Sequence, residues 1–253
     1  MIEGNYVLGK QQNGTRYSFR VPREFTLDDG PRHAFKMNWV YELPFGRGRA
    51  FGSNVNTFMD RVIGGWEFAG GGRVQSGLIL SFGNVRLVGM SDKDLQKVFK
   101  IEERIDPSSG KQLLFILPQD MIDNTIKAFS TSATSATGYG SLGPPTGRYF
   151  APANGPDCIQ VVNGDCAARD HYVTGPKVTT FDLSIVKRIT LVGRTNFEFH
   201  ADMINAFNNI NFTPVAQTGN SATINQVTAA QRDVNNTQNP GGRLMQFVFR
   251  LTF

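Results

Sequence analysis

The sequence predicts an all-β protein of long antiparallel strands, and three observations predict it. Apolar and polar residues alternate over stretches of about ten residues. Composition favours strands and tight turns, with 20 Phe, 27 Gly and 12 Pro among 253 residues and only 19% charged residues. No apolar run reaches the roughly 18 residues that a membrane helix needs, which leaves open strands that cross a bilayer with a much weaker signal. The formal charge is +5 and the pI about 9.3. The basic residues are scattered, several of them in turns (Arg47, Arg49, Lys187, Arg188, Arg194), so no nucleic-acid partner is expected.

The clearest strands follow one another with a consistent two-residue period. Over 33–43, His33, Phe35, Met37, Trp39, Tyr41 and Leu43 share one face, and Ala34, Lys36, Asn38, Val40 and Glu42 the other, until Pro44 removes a ladder donor. A second strand, 66–74, sets Trp66, Phe68 and Val74 against Glu67 and Arg73 and carries three consecutive glycines that permit bending. Strands at 180–191 and 195–207, joined by Val192-Gly-Arg194, form the clearest hairpin. Lys187 falls on its apolar side and would have to snorkel. The closing strand, 243–253, places Met245, Phe247, Phe249, Leu251 and Phe253 on one face. Residues 1–31 are hard to read, with one candidate strand at Arg16–Val21.

The connections differ sharply in length. The basic Phe45-Gly-Arg-Gly-Arg-Ala-Phe-Gly52 lacks both the dinucleotide spacing and the Gly-Lys-Ser/Thr of a phosphate loop and is read as a turn. Residues 75–179 form a long excursion without strand alternation. A capping box at Ser91 and Asp94 opens a helix over 92–99, and a second helix follows Pro118 over 119–129. Cys158 and Cys166 flank an Asn163-Gly164 turn signal that can bring the thiols together, so a disulfide is expected in an oxidising compartment. Residues 208–242 form a second long polar loop.

About five or six strands, longer than the five or six residues usual in soluble sheets, suit tilted bilayer crossings. Every second face carries polar groups that are costly in a dry core and cheap in a wet lumen. The candidate lumen-facing residues are Lys36, Asn38, Glu42, Glu67, Arg73, Asp182, Arg188, Glu198, His200, Asp202 and Arg250. The expected architecture is therefore an antiparallel transmembrane β-barrel segment with long loops on one side. The alternative is a soluble or surface-attached β-sandwich binding or adhesion module, whose strands are also two-faced. No enzyme is expected: His200 with Asp202 is the one base-and-orienter pair in sight, and it has no nucleophile motif beside it. No cofactor or metal is expected.

Four segments carry a family resemblance. His33–Arg49, Gly64–Phe68, Phe181–Arg188 and Asn196–Asn208 resemble, in that order, the C-terminal barrel region of TonB-dependent outer-membrane transporters of the Oar-like group. Phe253, with Leu251 and Phe249 at alternate positions before it, is similar to the terminal signal read by the barrel assembly machinery. The resemblance implies a Gram-negative outer membrane, a complete barrel of about 22 strands, and energised uptake of an unidentified ligand through a plug moved by the TonB system. The sequence shows no signal peptide, TonB box or plug, so a C-terminal fragment or truncated reading frame is expected, to be completed by further strands. With Phe253 at the periplasm, 75–179 and 208–242 lie outside the cell, and 44–65 and 192–194 face the periplasm.

Overall fold

The computed structural model describes residues 1–9, 12–15, 24–27, 31–106, 109–159, 166, 168–191, 193–230 and 242–253. The strand expected at Arg16–Val21 lies outside the described residues. In chain order the elements are β1 (Ile2–Leu8), β2 (Gln12–Thr15), β3 (Glu24–Leu27), β4 (His33–Glu42), α1 (Thr57–Ile63), β5 (Trp66–Gln75) and β6 (Ile79–Val88). They continue with α2 (Asp92–Val98), β7 (Glu102–Ile105), β8 (Gln112–Phe115), α3 (Gln119–Phe129), β9 (Tyr149–Ala151), β10 (Arg169–Thr174), β11 (Val178–Thr190), β12 (Asn196–Ile204) and β13 (Leu244–Thr252). All strand pairs are antiparallel.

Six of these strands form one open sheet in the order β1-β4-β5-β11-β12-β13. Among the described residues it does not close, and β1 and β13 are its edges. The register passes straight across it: Tyr6 stands opposite Phe35, Phe35 opposite Val74, and Ile185 opposite both Phe68 and Ala201. Because paired residues in register point to the same side of the pleat, the alternation within each strand becomes two continuous faces. Phe199 packs on Phe247 and Phe249, with ring centroids 6.1 and 5.1 Å away. The glycines of β5 serve this packing, since a side chain at Gly70 would meet the Trp39 ring and one at Gly72 the Phe181 ring. Asn205 and Asn208 take positive φ of 50° and 54°, so Phe207, expected in the strand, lies in the turn after β12.

At one end of the sheet lie residues 43–65, 191 and 193–195 together with Met1 and Phe253; the other end carries the described residues among 9–32, 76–177 and 205–243. The first of these connections is a folded unit that contains α1. Asn56 caps the helix by accepting from Met59 N at 2.8 Å. Asp60 Oδ1 accepts from Arg47 N at 2.6 Å, tying the glycine-rich turn to the helix. Lys187 does not snorkel into water. It is 5% exposed, and its ammonium donates to the carbonyls of Val62, at 3.0 Å, and Gly64 while lying 4.9 Å above the Trp66 ring. The last carbonyls of a helix are its negative end, so α1 supplies the counter-dipole that a buried lysine on an apolar face requires.

The excursion between β5 and β11 also departs from its expectation as strandless chain. It contains β6, β7, β8, β9 and β10, with β10-β6-β9 forming a second sheet. With α2 and α3 these strands enclose a core of Phe82, Leu95, Ile116, Leu117, Met121, Ile122, Phe150 and Val173. The segment around Ile224 and Val227, from the other long loop, completes that core. Ile116 N donates to Asn225 O at 3.0 Å and Val227 N to Leu114 O at 2.7 Å. Two connections thus fold into one subdomain. The helices begin as their sequence signals demand, with Ser91 and Asp94 forming the capping box of α2.

At Gly65 the start of β5 comes close to the backbone of β11. The φ of Gly65 is +65° and an added Cβ would run into the Arg188 carbonyl oxygen. Gly65→Ala is expected to destabilise the sheet by about 1–3 kcal/mol, read as a lower urea midpoint in detergent micelles; an unchanged midpoint contradicts the close approach.

Candidate functional site

The polar face of the sheet collects all the residues expected to line a lumen. In register they run from Lys36, Asn38 and Glu42 on β4, through Glu67 and Arg73 on β5, Asp182 and Arg188 on β11, and Glu198, His200 and Asp202 on β12, to Arg250 on β13. The unread β1 adds Glu3 and Asn5 to this face, opposite Asn38 and Lys36. Like charges stand opposite at Glu42 and Glu67, and each carboxylate has its own cation: Arg49 lies 2.9 Å from Glu42 and Arg188 2.7 Å from Glu67. Arg188 also reaches Glu198 at 3.6 Å, and Glu198 bonds His200. Asp202 accepts from the Ser184 hydroxyl, so the pairing of His200 with Asp202 weighed from the sequence does not form. Asp182 accepts from Asn205 N at 2.8 Å. These groups form a water-compatible charge lattice, paired around Arg188 and at Arg49–Glu42, while the Nε of Arg73 on the same face is buried with no partner among the described residues.

The opposite face is apolar and open. Phe247 is 57% exposed and Phe249 67%, and Phe35, Tyr41, Met245 and Leu251 are exposed with them. A sandwich requires a second sheet over this face, and among the described residues none covers it. Leu251 and Phe249 stand on the outer edge strand, with Phe253 just beyond it.

Above the sheet, the subdomain offers two concavities. One, of about 240 Å³, lies where it meets the sheet and is lined by Gln75, Leu78, Leu80, Pro176, Val178 and Phe212; the Gln75 Oε1 there has no partner. The other, of about 360 Å³, is lined by Arg86, Met90, Arg169, His171 and the Cys158–Cys166 disulfide. The two cysteine Cα atoms lie 6.0 Å apart. The basic groups beside it have acidic partners: Arg86 Nη2 donates to both carboxylate oxygens of Asp157 at 2.8 and 2.7 Å, and Arg169 and His171 both bond Asp92. Burial works against ionisation of Asp157, but the Arg86 guanidinium outweighs it and holds the carboxyl below its usual range. Burial, and then the Asp157 charge, pushes the neighbouring Tyr139 phenol up to about 12. Among the described residues no group of acidic, His or Cys side chains could hold a metal ion. The Arg86–Asp157 pair had no signal in the sequence, because its partners lie 71 positions apart.

One sheet sorted into a charged face and an open apolar face is the wall of a membrane-spanning β structure. The chain matches the family model of the outer membrane beta barrel domain over residues 9–246, and it belongs to that family. Membership implies the outer membrane of a Gram-negative bacterium. No curated protein and no solved structure matches the chain.

Because the Asp157 carboxyl is held down, its contribution to stability is present above the unfolded carboxylate value of about 3.9 and is lost as pH falls through the lowered folded value. Asp157→Asn is expected to cost about 1–3 kcal/mol at pH 7 by leaving the half-buried Arg86 unpaired. Urea titrations should show that cost shrinking toward pH 3; a pH-independent difference contradicts the ion pair.

Proposed function

We propose that the chain is a wall segment of a larger outer-membrane barrel of the TonB-dependent, Oar-like transporter type, and that its subdomain meets the transported ligand outside the cell. The observation that carries this reading is the open sheet with sorted faces. Its six strands are fewer than the roughly eight needed to enclose a filled barrel. Two unpaired sheet edges are not tolerated in lipid, so β1 and β13 call for further strands.

In this reading the charge lattice lines a watery lumen and the Phe-rich face meets lipid. Uptake is energised through a plug that belongs to the complete protein and couples to the TonB system. The barrel assembly machinery reads Phe249, Leu251 and Phe253, no cofactor takes part, and the chain binds and conducts without catalysing a reaction. Its orientation puts the subdomain outside the cell, where the Cys158–Cys166 bond persists. The compact core supports a ligand-contact role, because it holds the subdomain's concavities in fixed geometry.

Orientation is tested by placing a thiol on the subdomain. Ser141→Cys is expected to react with a membrane-impermeant maleimide on intact cells, and labelling only after permeabilisation would overturn the assignment. Extraction tests the membrane wall: the chain should require detergent, and a soluble monomer without it contradicts the reading.

A further inference from the structure

We propose that the connection between β4 and β5 is an interfacial anchor, in which the Phe45–Phe51 turn and helix α1 bind the headgroup layer of an anionic phospholipid leaflet. The proposal rests on the apolar face being a lipid-facing surface. Three independent observations carry it.

The first is position. α1 is bound to the end of the apolar face, not to the polar one. Lys187, a residue of the apolar face, donates to the Val62 and Gly64 carbonyls, the Trp66 indole donates to Val62 O at 2.9 Å, and Arg61 donates to Leu191 O at 2.6 Å. The helix therefore sits where that face ends, at the depth where a bilayer changes from hydrocarbon to headgroups.

The second is the surface that the connection leaves uncovered. No residue of α1 is buried, although its sequence is Thr-Phe-Met-Asp-Arg-Val-Ile. Phe58 is 73% exposed, and Met59, Val62, Phe45 and Phe51 are exposed beside it. The two phenylalanines of the turn are held together, with ring centroids 5.6 Å apart and Phe51 N donating to Pro44 O at 2.9 Å. An apolar cluster on a rigid support, flush with a lipid-facing sheet, is what an interfacial segment presents.

The third is charge. Residues 43–65 carry Arg47, Arg49 and Arg61 against Asp60 alone, and Arg194 lies on the neighbouring turn; Arg49 is paired with Glu42 of β4 at 2.9 Å, so Arg47, Arg61 and Arg194 carry the excess. Residues 76–177, at the other end of the sheet, carry ten Lys and Arg against ten Asp and Glu. Arg47 donates to the Val55 carbonyl and the Thr57 hydroxyl, and Arg61 to a carbonyl, so these contacts orient the guanidiniums without neutralising them. Local positive charge beside an exposed apolar cluster fits phosphate headgroups.

The test uses the full chain in vesicles of phosphatidylcholine with phosphatidylglycerol, labelled through Phe58→Cys with an environment-sensitive fluorophore. The native cysteines are paired and do not react. The probe is expected to be quenched by lipids that carry a nitroxide near the headgroup. Nitroxide-labelled phosphatidylglycerol should quench about twofold more than labelled phosphatidylcholine, and the preference should vanish in Arg47→Gln/Arg194→Gln. A probe quenched by iodide from water and not by lipid overturns the anchor, and equal quenching by the two lipids overturns its charge preference. A second probe at Phe247→Cys separates this from the underlying reading. Lipid quenching there but not at position 58 removes the anchor alone, whereas silence at both removes the lipid-facing sheet and the anchor with it. Both leaflets carry the quencher, so the result does not depend on the direction of insertion.

Discussion

The ladder between β5 and β11 is the constraint on which the rest of the structure depends. It runs from Gln75 opposite Val178 to Trp66 opposite Lys187, and it joins two halves of the sheet across a hundred residues of intervening chain. Closing so long a loop costs about 4 kcal/mol in chain entropy if the loop is slack. The intervening residues are not slack, because they fold around Leu95, Ile116, Leu117 and Phe150 into a unit whose two ends emerge beside each other. Gly175 N donates to Leu78 O at 2.8 Å at that neck, bringing the chain back to β11 beside the strand it left.

Once that ladder is fixed, the chemistry of both faces follows. Register carries the alternation of each strand into its neighbour, so an aromatic surface forms on one side and a lattice of charged and polar groups on the other. Lys187 breaks the rule on the apolar side, and α1 answers the breach with its C-terminal carbonyls. The same contacts fix the helix to the sheet. A buried ammonium in a strand and a short helix in a connection are thus one structural device.

The strands with strict alternation were legible because a half-buried strand repeats every two residues, a strictly local property. β6 was not, and the reason is visible in its bulge. Gly83 takes a φ of 79°, and the register with β10 shifts between Asp170 and Tyr172. Phe82 and Val85 are therefore both buried although they have opposite parity, and the period-two signal cancels. β1 failed for another reason: Ile2-Glu-Gly-Asn-Tyr-Val-Leu8 has little local preference and is held by its ladder to β4 and by the Tyr6 hydroxyl, 2.6 Å from His33 Nδ1. The helix at 92–98 carried its capping box and that at 119–129 a longer apolar pattern after Pro118, whereas α1 shows its cap Asn56 and its apolar Phe58, Met59, Val62 and Ile63 over only seven residues, too short for the period to stand out.

The sequence by itself determined which side chains share a face, because the pleat assigns them by parity, and it marked the cysteines that a turn could bring together. Tertiary structure alone decided that the 208–242 loop sends Ile224 and Val227 into the core of the other loop, that Arg86 meets Asp157, and that Lys187 is held by α1. Each of these joins residues far apart in the chain, and their energy comes from burial and pairing that exist only once the strands are in register.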